Sequence, residues 1–288
     1  MTPRADGARP AHFAPPQHYA RDETPAETTT RLRPVTGRSR ARIAVVAACL
    51  VVGAGLISGA AAGSWLAGDD TRTPTASSRF GEGRTAWRSI PVDTLFPRTL
   101  KGSGAGPGGA DRAWTRVAVA PDGDCANALD PLLLKALGPV GCARLLRATY
   151  TDATTSSVTT VGMVFTQADE TATNALRARF TRERLAERTD LMPRTYPVPG
   201  TVAASFGDRQ RASWAISVLK DVPVVVYAVS GFADGRAVTD PQPAVPATAA
   251  GATTAPAESG LAHEAKGIAD RVERGLRTTV NSATEQPG

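Results

Sequence analysis

Three histidines are the only side chains of this 288-residue chain whose ordinary pKa suits proton transfer near neutral pH, and none stands in a catalytic spacing. His12 and His18 sit in a polar N-terminal stretch, and His263 is followed by Glu264. Adjacent residues do not share a helix face, so this last pair is not a dyad. A Ser-His-Asp or Cys-His site therefore lacks a base, and a His-rich metal site lacks ligands. The three cysteines are Cys49, Cys125 and Cys142. The latter two have neither C-x-x-C spacing nor nearby histidine, so a disulfide is expected rather than a metal site. Closing that loop contributes about 3 kcal/mol in the chain-entropy model. Asp122-Gly123-Asp124 reads as a turn with an Asp cap, because further calcium ligands are missing from the loop. Gly102 to Gly109, GSGAGPGG, lacks the Gly-Lys-Ser/Thr ending of a phosphate loop and reads as a connection. Hydrolysis by a carboxylate pair would need two acids brought together from distant positions, and no local spacing supports one. The expected site residues are thus Cys125 and Cys142 as a disulfide, with no catalytic residue, cofactor or metal.

The placement of these residues follows from an uncharged apolar run, IAVVAACLVVGAGLISGAAAGSWLA, from Ile43 to Ala67. About 20 apolar residues suffice to cross a bilayer, and the absence of a polar face argues against a core helix. Arg31, Arg33, Arg38, Arg40 and Arg42 precede the run, and Asp69 and Asp70 follow it. The positive-inside rule then puts the N-terminus in the cytoplasm and the C-terminal domain outside, with Trp65 as an interfacial anchor. Gly55 and Gly59 form a G-x-x-x-G that permits a homodimer through the span. Ala60-Ala61-Ala62 resembles a cleavage site, but the run exceeds the usual length of a signal-peptide core. Val46-Ala47-Ala48-Cys49 loosely resembles a lipobox, but the apolar run continues past Cys49.

Net charge is +6 and almost all basic residues are arginine. The charge is spread out, with no basic face interleaved with aromatics, so no nucleic-acid partner is expected.

Seven segments follow. Residues 1–42, rich in Pro, Thr, Ala and Arg, form a disordered cytoplasmic tail. Residues 43–67 are the transmembrane helix that meets the lipid bilayer, and 68–83 an extracytoplasmic tether. Residues 84–235 are the folded domain, 236–258 a disordered Ala/Pro/Thr-rich linker, and 278–288 a disordered tail. Residues 259–277 form an amphipathic helix expected to dock on the domain, with a docking helix for another protein as the alternative; Leu261, Ala265, Ile268, Ala269, Val272 and Leu276 make its stripe.

Within the domain, strands are predicted over 114–120, 143–151, 158–166, 201–206, 213–219 and 223–229. Asp130 and Pro131 start a helix that Gly138 and Pro139 stop. Thr166 is expected to cap another, whose stripe is Ala172, Leu176 and Phe180 and whose flanks carry Arg177, Arg179, Arg182, Arg184 and Arg188. With Glu183 and Glu187 interleaved, that basic stretch reads as a solvated face. The fold class is α+β: a mostly antiparallel sheet of about five strands with helices packed on one face.

The Arg-rich tail, the Gly/Ala-rich span and the stretch C-A-N-A-L-D-P…G-C-A-R-L-L-R-A-T-Y from Cys125 to Tyr150 resemble actinobacterial single-pass membrane proteins of unknown function. That resemblance implies a disulfide-clipped extracytoplasmic domain but no activity. A looser likeness to extracytoplasmic sensor domains of receptor kinases implies at most a binding role, because no kinase domain is present. The functional expectation is a non-catalytic module at the cell surface that binds a protein or cell-envelope ligand. The alternatives are a carboxylate-dependent envelope hydrolase and an accessory subunit of a membrane complex acting through its span.

Overall fold

A computed structural model of the chain describes residues 76–121 and 123–285. The expected tail, the span with Gly55 and Gly59, and residues 68–75 of the tether lie outside the described residues; the rest of the expected tether is a helix, Ala76–Gly83, with Phe80 buried rather than exposed. Among the described residues, no helix is long and apolar enough to cross a membrane.

The fold is α+β around one mixed sheet of seven strands in the order β1-β2-β3-β4-β6-β5-β7. The strands are β1 Thr99–Gly102, β2 Arg112–Val119, β3 Arg144–Asp152, β4 Ser157–Phe165, β5 Ser213–Val218, β6 Val224–Phe232 and β7 Gln242–Pro243. Every pairing is antiparallel except that of β5 with β7. The sheet is thus larger than the five or so strands expected. Both additional strands are short edge pieces, Thr-Leu-Lys-Gly and Gln-Pro, without an apolar alternation to announce them. The strand expected over 201–206 is instead a run of turns. There Ala203 and Phe206 are buried at a spacing of three, and Val198 N donates to Ala203 O at 3.2 Å, folding the chain back after Val198-Pro199-Gly200.

Helices cover both faces of the sheet, not one. The central strands β4 and β6 are buried at nearly every position, and a strand without a polar face needs cover on both sides. Val224, Val226 and Ala228 of β6 pack against the long helix Leu261–Glu285, through Ala262, Ala265, Ile268, Ala269 and Val272. Val225 and Tyr227 point the other way, into a second core built with Leu133, Leu137, Leu176 and Phe180. These come from the helices Pro131–Leu137 and Glu170–Arg182. The latter starts three residues later than its sequence suggests. Asp169 is its cap, accepting from Ala172 N at 2.8 Å, while Thr166 continues from β4 and bonds Pro223 O.

The segment 236–258, expected as a disordered linker, is ordered. It contains β7 and two short helices, Ala244–Ala247 and Ala255–Glu258. Gln242 N donates to Ala212 O at 2.9 Å, Ser213 Oγ donates to Gln242 O at 2.8 Å, and Ala244 and Ala247 are buried. Backbone pairing and small side chains that fit closely do here what large apolar residues do elsewhere. The terminal helix runs to Glu285, beyond the expected end at 277 and into the expected tail.

Gly162 sits under the ring of Tyr227, where an added Cβ would lie 2.3 Å from Cζ. The Tyr227 hydroxyl is buried without a hydrogen-bond partner among the described residues, and burial pushes its pKa up. An unsatisfied buried hydroxyl costs about 1 kcal/mol or more. Tyr227→Phe is therefore expected to raise stability by about 1 kcal/mol in urea unfolding. A loss of stability would show that the hydroxyl is paired.

Candidate functional site

Cys125 and Cys142 stand at disulfide distance, their Cα atoms 6.3 Å apart and 17 positions apart in sequence. Cys125 opens the short helix Cys125–Ala128, whose cap is Asp124, accepting from Asn127 N. Asp130 caps the next helix by accepting from Leu132 N at 2.9 Å, and Cys142 follows the 3-10 turn that ends it. The pair therefore clips together both ends of a helical segment that presents Leu129, Leu133 and Leu137 to the second core. Asp122 lies outside the described residues.

Two carboxylates that sequence spacing did not connect are brought together at one end of the sheet. Asp152 ends β3, opposite Trp114 of β2, and Glu264 lies in the first turns of the terminal helix. Both are buried, at 6% and 3% exposure. Asp152 organises the β3–β4 turn. It accepts from Thr154 N at 3.1 Å, Ser157 N at 2.7 Å, Ser157 Oγ at 3.0 Å, and also from Thr154 Oγ1 and Ser156 Oγ. Burial pushes its pKa up, but these donors outweigh burial and hold it below the usual value.

Glu264 has fewer donors. The Trp114 indole N–H donates to Oε2, and Arg112 Nε lies 3.4 Å from Oε1 as an ion pair. Burial dominates here and raises the Glu264 pKa, with the Asp152 charge adding to the rise. Two acids whose surroundings push their pKa values apart are a known route to acid–base chemistry. A reacting group would also need to reach them. The open pocket beside them, about 260 Å³, is lined by Ser156, Ser157, Asp234, Arg236 and Ser259 rather than by either carboxylate. Their visible work is to join the β3–β4 turn, β2 and the terminal helix.

The two edges of the sheet differ. On β1, the outward carbonyl of Lys101 and that of Ser103 just beyond the strand accept from Arg271 Nε and Nη2 at 3.1 and 2.8 Å. One end of that edge is capped by a side chain from the terminal helix. On β5, β7 pairs only with Ser213 and Trp214. Leu219 N donates to Val224 O, which fixes the alternation of the ladder and turns the backbone groups of Ile216 and Val218 away from β6. Neither has a further partner among the described residues. A groove of about 430 Å³ runs beside this open edge, with Phe180, Ala186, Ile216 and Val218 as apolar lining and Arg177, Thr181, Arg184 and Glu187 at its sides.

The basic stretch of the Glu170–Arg182 helix is largely neutralised. Arg179 and Arg182 pair with Glu183, Arg184 with Glu187, and Arg188 with Asp190. The Arg177 guanidinium donates to Asn174 Oδ1 at 3.3 Å and makes no ion pair among the described residues, so it stands as a cation beside the β5 edge. His263 Nδ1 lies 3.0 Å from Ala105 O, so that nitrogen carries the proton and donates to the carbonyl. Among the described residues no cluster of three or more His, Cys, Asp or Glu could hold a metal.

Glu264 was legible in part. It falls inside the apolar stripe, three residues from Leu261 and four from Ile268, and an acid there must be buried or break the stripe. The β5 edge had no sequence signal, because edge and centre are decided by strand order. No family model matches the chain, and no curated protein or solved structure shows significant similarity to it.

Proposed function

We propose that this chain is a membrane-anchored, non-catalytic binding module whose domain lies outside the cell and takes an extended segment of a partner protein along β5. The observation that carries this reading is the open β5 edge, with outward backbone groups at Ile216 and Val218 beside an apolar-lined groove. Natural proteins usually block such edges, as Arg271 does at one end of β1. An unblocked edge with a groove for alternate side chains has the makings of strand addition. The anchor rests on the run 43–67 and its arginine flank.

The test is photo-crosslinking in native cells, with the reactive group at Ser217 beside the groove or at Thr99 on the opposite, β1 edge. The expected result is a discrete protein adduct from 217 and none from 99. Ile216→Pro removes the outward N–H while the inward bonds of Ala215 and Ser217 remain, and should abolish the adduct in a folded domain. Equal adducts from both positions, or an adduct indifferent to Ile216→Pro, would sink the proposal.

One observation favours the hydrolase alternative, namely the convergence of Asp152 and Glu264. Turnover of cell-wall substrates by the full-length protein, lost in Glu264→Gln without loss of folding, would establish it over the binding role.

A further inference from the structure

A groove of about 390 Å³ lies between the terminal helix and the loop that joins β1 to β2. His263, Lys266, Asp270, Arg271 and Arg274 line it from the helix. Three of these are Lys or Arg and one is Asp, so the groove has a formal net charge of two positive charges without counting His263. Lys266 Nζ is held by Asp270 at 2.6 Å; the Asp270 charge also acts on Arg271, but neither arginine has an ion pair of its own among the described residues.

Arg271 is fixed in place. Beyond its bonds to Lys101 O and Ser103 O, Nη1 donates to Gly267 O at 3.3 Å, and the guanidinium stands 5.6 Å from the Trp114 ring centroid. A guanidinium has five N–H donors, so this one keeps donors to spare while its position is set by the fold. Arg274 is three residues further along, on the same side of the helix. It is exposed, and its guanidinium makes no hydrogen bond or ion pair among the described residues. Burial lowers the Arg271 pKa, and repulsion from Arg274 lowers it further. The fold accounts for Arg271, since it caps one end of the β1 edge. Arg274 makes no such contact with the sheet.

We infer that this groove binds a phosphate-type oxyanion bridging Arg271 and Arg274. Such a group carries one or two negative charges, matching the groove, and several acceptor oxygens that two guanidiniums can share. Asp270, already engaged by Lys266, faces the same space and sets against a second anion. The phosphate source is either a lipid headgroup or a free phosphate ester, since both present the same oxygens. The inference does not depend on the β5 reading, because the two grooves share no residue.

The experiment uses the full-length protein in dodecyl maltoside micelles, which carry no phosphate, and follows the amide resonances of Gly104 and Gly267 during titration with sodium phosphate. Sodium chloride at equal ionic strength is the control. A saturable shift with phosphate alone is expected, weakened about tenfold by Arg274→Ala and unaffected by Arg177→Ala in the other groove. Nanodiscs containing phosphatidylglycerol separate the sources. Resonances already shifted there before phosphate is added identify a headgroup, and unshifted resonances that respond to phosphate identify a free ester. No shift in either arm, a shift matched by chloride, or one indifferent to Arg274→Ala would overturn the inference.

Discussion

Trp114→Ala is expected to destabilise the domain by about 4 kcal/mol, near the upper end for a buried aromatic. The indole is 1% exposed and does several jobs at once. It fills notches left by two glycines. A Cβ at Gly102 would lie 2.5 Å from the ring, and one at Gly267 would lie 2.8 Å from it. Its N–H donates to Glu264, and its face receives Arg271. Truncation opens a cavity between β2 and the terminal helix and strips a buried carboxylate of its indole donor. Trp114→Phe separates the two effects. It keeps most of the packing, so its cost, about 1–3 kcal/mol, measures the loss of the indole donor to a buried carboxylate that keeps Arg112 as its ion pair. Equal costs for the two variants would show that packing contributes little.

The same junction sets a pH dependence. The folded-state pKa of Glu264 is raised above its unfolded value of about 4.5, because burial disfavours the charge. The folded state therefore holds the proton more tightly than the unfolded state. Stability from this group is fully present below pH 4.5 and declines as pH rises through the raised folded value. Unfolding followed from pH 4 upward should show that decline in the parent and a flatter profile in Glu264→Gln. Identical profiles would remove Glu264 as its source.

Loss of the cysteine clip is the second large effect. Cys142→Ser is expected to lower stability by about 3 kcal/mol, from the loop-closure entropy of a bridge spanning 17 positions. For a domain of this size that is a fall in Tm of roughly 6–12 °C. The clipped segment presents Leu129, Leu133 and Leu137 to the core over β3, β4 and β6, so its loosening exposes that face first. Hydrogen exchange should accordingly rise in 125–142 before it rises in β6. The intact mass should also increase by two hydrogens on reduction, and an unchanged mass would show that the thiols are free.

The sequence carried its local signals well. Asp130-Pro131 with the following leucines, the period of 3.6 from Leu261 to Leu276, and the alternation of Trp114 onward each depend on neighbours along the chain. So does the near-continuous apolar run of β6, which announces a central strand. By contrast, the ordering of 236–258 depends on backbone pairing of Gln242 with Ala212, a contact with no signature in an Ala/Pro/Thr-rich stretch. The turns at 201–206 mimic a strand because a spacing of three and an alternation share positions over so short a run.

What the sequence by itself determined is therefore the class of the domain, the elements with strong periodicity, and the scarcity of histidine-based chemistry. Only the tertiary structure decided which strands stand at the edge, that helices cover both faces, and that Asp152 and Glu264 meet beside Trp114. It also decided that Arg274 faces a groove without a partner. Each of these joins residues more than a hundred positions apart or depends on strand order. Strand order is chosen by how whole faces pack, a property of the assembled chain rather than of any window along it.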